Sequence, residues 1–223
     1  MAPESTAEPF VPARGGLNAL QRAAQGCHGC GLYKDATQTV FGAGPCPAPL
    51  MFIGEQPGDR EDQEGEPFVG PAGGVLDRVL HDAGIPRDEA YLTNAVKHFK
   101  FVLPERGKRR IHKKPSDAEV RACRPWLTAE LRIVRPEIVV CLGATAAKAL
   151  LGNSFRITKS RGIVLDFPEI AELGRQRPRS VLATTHPSAV VRAPDRHAAY
   201  QGLLADIEVV AELLNSRGPR AKR

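Results

Sequence analysis

Carboxylates and imidazoles occur in two segments that also contain turn-forming glycine or proline. Glu55 and Asp59 belong to Gly54-Glu55-Gln56-Pro57-Gly58-Asp59, and His186 belongs to Thr185-His186-Pro187-Ser188. A carboxylate can move a proton or activate water, and an imidazole can donate to a leaving group. Glycines also let backbone amides approach a ligand closely. The second segment therefore indicates donation to a base oxygen or a leaving group. The first indicates either a nucleotide-binding loop or merely a tight strand-to-helix turn.

A third segment contains Asn94, and a fourth contains His112. The amide of Asn94 can both donate and accept hydrogen bonds, so it could read a pyrimidine edge or simply stabilise a turn. His112 lies in the stretch 106–114, which has six cations and no acid. Such a run favours a polyanion, whose phosphates the cations would grip. Among these cations we expect a neutral, nucleophilic imidazole; the simpler alternative is one more phosphate contact.

Five cysteines provide a further set of reactive groups. Cys27 and Cys30 have the C-x-x-C spacing of metal ligands, and the chain shows no secretion signal. Metal or redox chemistry is therefore favoured over a disulfide framework. Cys46, between two prolines, is expected to be free. Cys141 lies in an apolar run, where a cysteine is more often core packing.

The elements that must position these groups follow from hydrophobic patterning. Short apolar runs alternate with longer amphipathic stretches, which predicts a three-layer α/β fold with a central, mostly parallel sheet flanked by helices. Strands are predicted at 50–53, 90–96, 138–142, 163–165 and 181–184. Helices are predicted at about 17–26, 72–84, 117–134, 144–151 and 195–214. Ligands of such sheets bind beyond the carboxyl ends of the strands, where three of the four segments lie.

Length and composition favour one domain. The 223 residues, 42% of them hydrophobic, are enough for one buried core. We expect a flexible N-terminal arm at 1–15, a single domain at 16–215 and a basic tail at 216–223. No apolar run approaches the roughly 20 residues that span a bilayer, and no signal-peptide pattern is seen. We therefore expect a cytoplasmic monomer without a membrane partner.

Taken in order, the motifs resemble those of the family 4 uracil-DNA glycosylases over about residues 17–212. They are Cys-x-x-Cys, Gly-Glu-Gln-Pro-Gly, Phe-Val-Gly-Pro-Ala-Gly, Asn-Ala-Val-Lys, a later Cys, Leu-Gly-Ala-Thr-Ala and His-Pro-Ser. Each motif is modest alone, but their order is highly specific. The resemblance implies the uracil-DNA glycosylase fold, a [4Fe-4S] cluster and a pocket for a uracil flipped out of DNA.

The resemblance also implies a role for each matching residue. Phe68 would stack on the uracil ring, and Asn94 would read its polar edge. Gln56 would line the pocket, largely through its backbone. His186 would contact a uracil carbonyl on the leaving-group side. Glu55 takes the place of the family's catalytic carboxylate.

The chain departs from the family 4 pattern at the basic loop, which is lengthened to contain Lys-Arg-Arg-Ile-His. That loop resembles the UdgX-type branch, in which the loop histidine, here His112, is implied to attack the sugar C1′ and remain attached. One alternative is a turnover glycosylase in which Glu55 or Asp59 activates water. Another is a nucleic-acid-binding module without chemistry. Phosphate contacts are predicted at Lys108, Arg109, Arg110, Lys113 and Ser188.

The second departure is His98, which stands where the family usually has a cysteine. The implied cluster ligands are Cys27, Cys30, His98 and Cys123, because imidazole replaces thiolate in some iron-sulfur sites. Cys141 is the rival for the fourth position. Three Cys and one His would equally suit tetrahedral zinc, so only the resemblance favours iron. The expected partner is uracil-containing DNA, with single strands preferred.

Overall fold

A computed structural model describes residues 5–104 and 109–216 of the chain. The strands are β1 Leu50–Gly54, β2 Ala90–Asn94, β3 Phe101–Val102, β4 Ile111–His112, β5 Ile138–Leu142, β6 Val164–Asp166 and β7 Ser180–Thr184. The helices are α1 Leu17–Ala24, α2 Asp59–Glu64, α3 Pro71–Asp82, α4 Asp117–Val134, α5 Ala144–Leu151, α6 Ile157–Ser160, α7 Pro187–Arg192 and α8 Arg196–Asn215. The five predicted strands and five predicted helices are present with small shifts at their ends; β3, β4, α2, α6 and α7 were not predicted.

Five strands form the central sheet, in the order β2-β1-β5-β7-β6. The first four are parallel, and β6 pairs antiparallel with β7. Every residue of the four parallel strands is buried, which accounts for their continuous apolar runs. The predicted mostly parallel α/β sheet is therefore confirmed.

Helices cover both faces of the sheet. Along β1, Met51 and Ile53 pack with the core cluster that contains residues of α4 and α5. Leu50 and Phe52 pack with the cluster that contains residues of α3 and α8. Successive strand side chains point to opposite faces, so one short strand contributes to both cores.

A third core cluster joins α1, the first half of α4 and the N-terminal segment. Ala7 is buried and donates its backbone N–H to the Ala122 carbonyl, 2.8 Å away. Gly29 permits this approach, because a Cβ there would lie 2.6 Å from the Ala7 Cα. Ala7, Phe10 and Val11 thus contact the body of the protein, although a loose arm was expected from the composition of this segment.

The strands β3 and β4 form a small antiparallel ribbon outside the main sheet, where a loop was expected. Phe101 pairs with His112, and Val102 pairs with Ile111. The Lys113 N–H extends the ladder by donating to the Lys100 carbonyl at 2.9 Å. His112 is therefore held by backbone pairing.

No helix in the ranges 5–104 and 109–216 is long and apolar enough to cross a membrane.

Candidate active site

The polar segments meet at one edge of the sheet because the carboxyl ends of its parallel strands meet there. Glu55 directly follows β1, and Asn94 is the last residue of β2. Thr145 lies shortly after the end of β5, in the first turn of α5. His186 follows β7, and His112 reaches the same edge from the ribbon. They surround a cavity of about 440 Å³. Its lining includes Glu55, Gln56, Phe68, Asn94, Lys114, Thr145, His112, His186, Ser188 and Arg192.

Glu55 contacts a different partner through each carboxylate oxygen. Oε1 lies 3.4 Å from Nε2 of His112. Oε2 accepts a short hydrogen bond from the Thr145 hydroxyl. Thr145 therefore fixes the carboxylate while the other oxygen faces the imidazole. The sequence alone did not indicate this role of Thr145, although the residue lies inside the Leu-Gly-Ala-Thr-Ala motif.

The side chain of Gln56 fixes the ribbon that carries His112. Its Nε2 donates to the carbonyls of Lys100 and Lys113, both at 3.1 Å, and its Oε1 accepts from the Lys100 N–H at 3.1 Å. One amide therefore binds the backbone on both sides of the ribbon. The side chain has this role in addition to the expected backbone lining of the cavity.

Phe68 occupies a backbone conformation that is rare for a bulky residue, with φ of 60°. Gly73 is required beside it, because a Cβ there would overlap the Phe68 carbonyl. Gly54 is required as well, since a Cβ would overlap the Asn94 amide and lie 2.8 Å from the Phe68 ring. These glycines bring Phe68 and Asn94 to the same wall of the cavity.

Glu61 joins the two glycine-containing segments. Its carboxylate accepts from the Gly58 N–H at 3.0 Å and from the Gly70 N–H at 2.7 Å. The first bond caps α2, and the second fixes the turn between Phe68 and α3. This role was not predicted, because a carboxylate in a charged helical turn ordinarily faces water.

His186 has a defined tautomer. The Ser188 N–H donates to Nδ1 at 3.1 Å, so the proton of the neutral ring resides on Nε2. Burial, with smaller contributions from Arg192 and His112, lowers the pKa of His186 to about 4. The ring is therefore a neutral Nε2–H donor near pH 7. The Ser188 hydroxyl lies 2.8 Å from Nδ1, so it already contacts His186.

Arg110 forms ion pairs with Asp59 and with the fully buried Asp62. Its guanidinium also lies over the rings of Phe99 and Phe101, at 5.3 and 5.0 Å. These contacts attach the ribbon to α2. The predicted roles of Asp59 in activating water and of Arg110 in binding phosphate would both compete with this pairing.

The other predicted phosphate contacts differ in placement. Arg109 and Lys113 are exposed. Arg109 lines a second cavity of about 600 Å³ beside the first, together with His112, Ser188 and Arg192. Lys108 lies outside the described residues.

A buried ion pair between Lys97 and Glu130 fixes the backbone of Asn94. Lys97 Nζ contacts Glu130 Oε2 at 2.5 Å and donates to the Asn94 carbonyl at 2.8 Å. Tyr91 and Thr93 donate to the other oxygen of Glu130, at 3.0 and 2.8 Å. Every charge in this network is therefore partnered, as burial requires.

Three of the predicted metal ligands lie in the third core cluster. Cys27, Cys30 and Cys123 pack there, and Cys27 accepts a hydrogen bond from the Trp126 indole at 3.2 Å. Cys123 accepts from the Lys97 N–H at 3.3 Å. Burial raises the pKa of the Cys123 thiol to about 12. Cys141 lies instead in the sheet core, and exposed Cys46 is a free thiol.

His98 has a tautomer suited to ligation. Thr39 Oγ1 donates its one proton to the Ala24 carbonyl at 2.9 Å, so it accepts from His98 Nε2, also 2.9 Å away. The lone pair of His98 is then on Nδ1. Burial lowers the pKa of His98 to about 4. Even so, in the described ranges 5–104 and 109–216, no three His, Cys, Asp or Glu side chains are arranged to hold a metal ion.

Comparison with known proteins agrees with this geometry. Residues 41–208 match the model of the uracil DNA glycosylase superfamily. The chain is 33% identical to a type-4 uracil-DNA glycosylase of Archaeoglobus fulgidus, covering 91% of this chain and 96% of that protein. It is 34% identical to a type-4 uracil-DNA glycosylase of Thermotoga maritima, covering 86% and 91%. A type-5 uracil-DNA glycosylase of Thermus thermophilus is 34% identical over 54% of the chain.

The matched residues 41–208 contain the parallel strands and the residues that line the cavity at their ends, from Glu55 to Arg192. The family match and the two type-4 alignments each cover most of the chain, which is more than a shared motif would produce. This protein therefore belongs to the uracil-DNA glycosylase superfamily.

Proposed function

We propose that this protein removes uracil from DNA and that His112 then captures the abasic sugar covalently. The observation that carries the proposal is the 3.4 Å approach of His112 Nε2 to Glu55 in the cavity that also contains Phe68 and Asn94. Excision of uracil is supported by the names of the type-4 relatives. Capture is supported by the lengthened loop with its Lys-Arg-Arg-Ile-His sequence.

Uracil would be recognised by stacking and by hydrogen bonds. The Phe68 ring would stack on the flipped base, and the Asn94 amide would pair with its polar edge. The neutral Nε2–H of His186 would donate to a uracil carbonyl. This bond would strengthen as negative charge develops on the leaving base, so it would lower the barrier.

In the proposed reaction, the bond from C1′ to uracil N1 breaks, and its electron pair leaves with the base. The sugar becomes cationic, and the Glu55 carboxylate stabilises that charge. An imidazole nitrogen of His112 then forms a bond to C1′ with its lone pair. The proton released by the imidazolium passes to the uracil anion, directly or through Glu55. Because His112 is already positioned, it competes well with free water.

The competing function is a turnover glycosylase that delivers water to C1′. Glu55 would be its base, since Asp59 is paired with Arg110. Its product would be free abasic DNA, and His112 would only contact phosphate. A binding module without chemistry would leave the glycosidic bond intact.

The deciding experiment mixes the protein with a uracil-containing or a matched thymine-containing oligonucleotide and denatures it in hot detergent. A shifted band with uracil only, lost in His112→Ala, is the expected result. Alkali-sensitive DNA without a shifted band would instead identify a turnover enzyme. Intact DNA in both assays would identify a binding module. An undiminished band from His112→Ala would remove that residue from the proposal.

We also propose that Cys27, Cys30, Cys123 and His98 hold a [4Fe-4S] cluster. Two features of the chain are compatible with this ligand set. Cys27 and Cys123 each accept a hydrogen bond from a buried N–H group. The neutral ring of His98 carries its proton on Nε2, so the lone pair on Nδ1 is available to a metal. When bound, the group would serve a structural role by joining α1 and α4 to the end of β2. Iron and sulfide analysis of the purified protein tests this; stoichiometric zinc without iron would overturn it.

A further inference from the structure

A groove opens next to the cavity that contains Glu55. It lies between the first half of α4 and α5. It has a volume of about 270 Å³ and is lined by Lys114, Arg121, Arg124 and Lys148. Asp117 is the acidic side chain in this lining. The lining therefore contains four cationic side chains and one carboxylate. This excess of positive charge favours a polyanionic ligand.

The charges of this groove are available to a ligand. Within the described parts of the chain, no ion pair within 4.0 Å involves any of its four cations. Lys114, Arg121 and Arg124 are exposed, and Lys148 is half-buried. Arg121 and Arg124 are three residues apart on α4 and so share one face of the helix. This contrasts with Arg110, whose charge is already paired.

The groove is continuous with the cavity that contains Glu55. Lys114 and Thr145 line both of them. The cavity lined by Arg109 and Arg192 also adjoins the Glu55 cavity, because both are lined by His112 and Ser188, and it shares no lining residue with the groove. A nucleotide inserted at Glu55 would therefore have a basic surface on each side.

We infer that the groove between α4 and α5 binds the DNA backbone on one side of the flipped nucleotide, through phosphate contacts from Arg121, Arg124 and Lys148. This inference rests on the proposed function, because it takes the cavity at Glu55 as the position of the uracil. A strand that enters over Arg109 and Arg192 would leave over this groove. Such contacts position a strand without reading its sequence.

The test compares the wild type with the triple variant R121Q/R124Q/K148Q. A matched control, R14Q/R132Q/R135Q, removes three exposed charges near the opposite end of α4. Affinity for single-stranded oligonucleotides is measured by fluorescence anisotropy over a range of salt. The uracil nucleotide is 2′-fluoro-2′-deoxyuridine, because its electron-withdrawing fluorine slows cleavage and so prevents covalent capture. Two substrates extend from the uracil in one direction only, either 5′ or 3′, and a thymine oligonucleotide is included.

For the groove variant, the slope of log affinity against log salt should fall by about 2, because each lost single-strand phosphate contact contributes about 0.7. The loss should appear with one of the one-sided substrates and not with the other. The control should behave as the wild type. Equal weakening of both one-sided substrates, or an unchanged slope, would overturn the inference.

The outcome is separable from that of the proposed function. Uracil release by the wild type tests the proposed function alone. If the wild type releases no uracil, the thymine oligonucleotide still reports whether the groove variant loses salt dependence relative to the control. With the thymine oligonucleotide, a smaller salt dependence in the groove variant than in the control would support the groove as a DNA-binding surface. An unchanged salt dependence would exclude it.

Discussion

Nε2 of His112 lies 3.4 Å from Oε1 of Glu55, although the two residues come from separate elements of the fold. Glu55 follows a central strand, whereas His112 is carried by a two-stranded ribbon. The contact places an imidazole beside a carboxylate in the lining of one cavity. Under the proposed function this contact would join cleavage and capture in one site, so each residue that supports it becomes testable.

Replacing Glu55 by Gln should slow the chemical step by about 10²–10⁴-fold, the usual contribution of a positioned acid–base group. The amide keeps the Thr145 contact but cannot stabilise the cationic sugar. The rate is measured in a single-turnover, quenched gel assay. Glu64→Gln, at an exposed pair with Arg60, is the control. A wild-type rate in Glu55→Gln would exclude a catalytic role for the carboxylate.

Phe68→Ala should weaken the preference for uracil over thymine. Stacking on an aromatic ring contributes about 1–3 kcal/mol per base, so uracil binding should weaken by about 5- to 150-fold. Competition binding with oligonucleotides that differ in one base measures the preference. Phe68→Leu retains apolar volume and should give an intermediate loss. An unchanged preference in both variants would contradict the stacking role.

Gln56→Ala should slow capture by His112 more than it weakens uracil binding, because the amide holds the ribbon through three backbone contacts. The unfolding free energy should fall by about 1–3 kcal/mol, as expected when buried backbone groups lose partners. Capture rate, equilibrium binding and urea denaturation are measured on the same preparation. Gln201→Ala, at an exposed position of α8, is the matched control. Equal changes in rate and affinity would argue against a positioning role.

Lys97→Met should lower the unfolding free energy by about 3–5 kcal/mol, because it leaves the buried Glu130 carboxylate without its cation. The double variant Lys97→Met/Glu130→Leu should recover part of the loss. Urea denaturation of the wild type, both single variants and the double variant gives the coupling energy. A purely additive double variant would show that the pair is not coupled.

His186 should make stability depend on pH between about 6.5 and about 4. Burial lowers its folded pKa to about 4, so in this window the unfolded chain binds more protons. Stability must therefore fall as pH falls, by at most about 1.4 kcal/mol per pH unit from this group. Urea denaturation across the window should show a shallower dependence for His186→Gln. Parallel curves would contradict a folded state in which His186 stays neutral.

Sequence patterning was enough to predict the sheet and its functional edge. Continuous apolar runs specify buried parallel strands, and polar residues directly after them must lie at one edge. That reasoning alone brought Glu55, Asn94 and His186 together. The resemblance added Phe68 and the role of His112.

Only the tertiary structure decided how these residues are held. The Gln56 contacts with the ribbon, the Glu61 link and the Thr145 bond to Glu55 join segments distant in sequence, and no local period encodes them. Arg110 shows the same limit: in sequence it is one of six neighbouring cations, but in the fold the buried Asp62 pairs with it. Side-chain type and spacing determine which chemistry is available, whereas long-range packing determines which charges remain free to perform it.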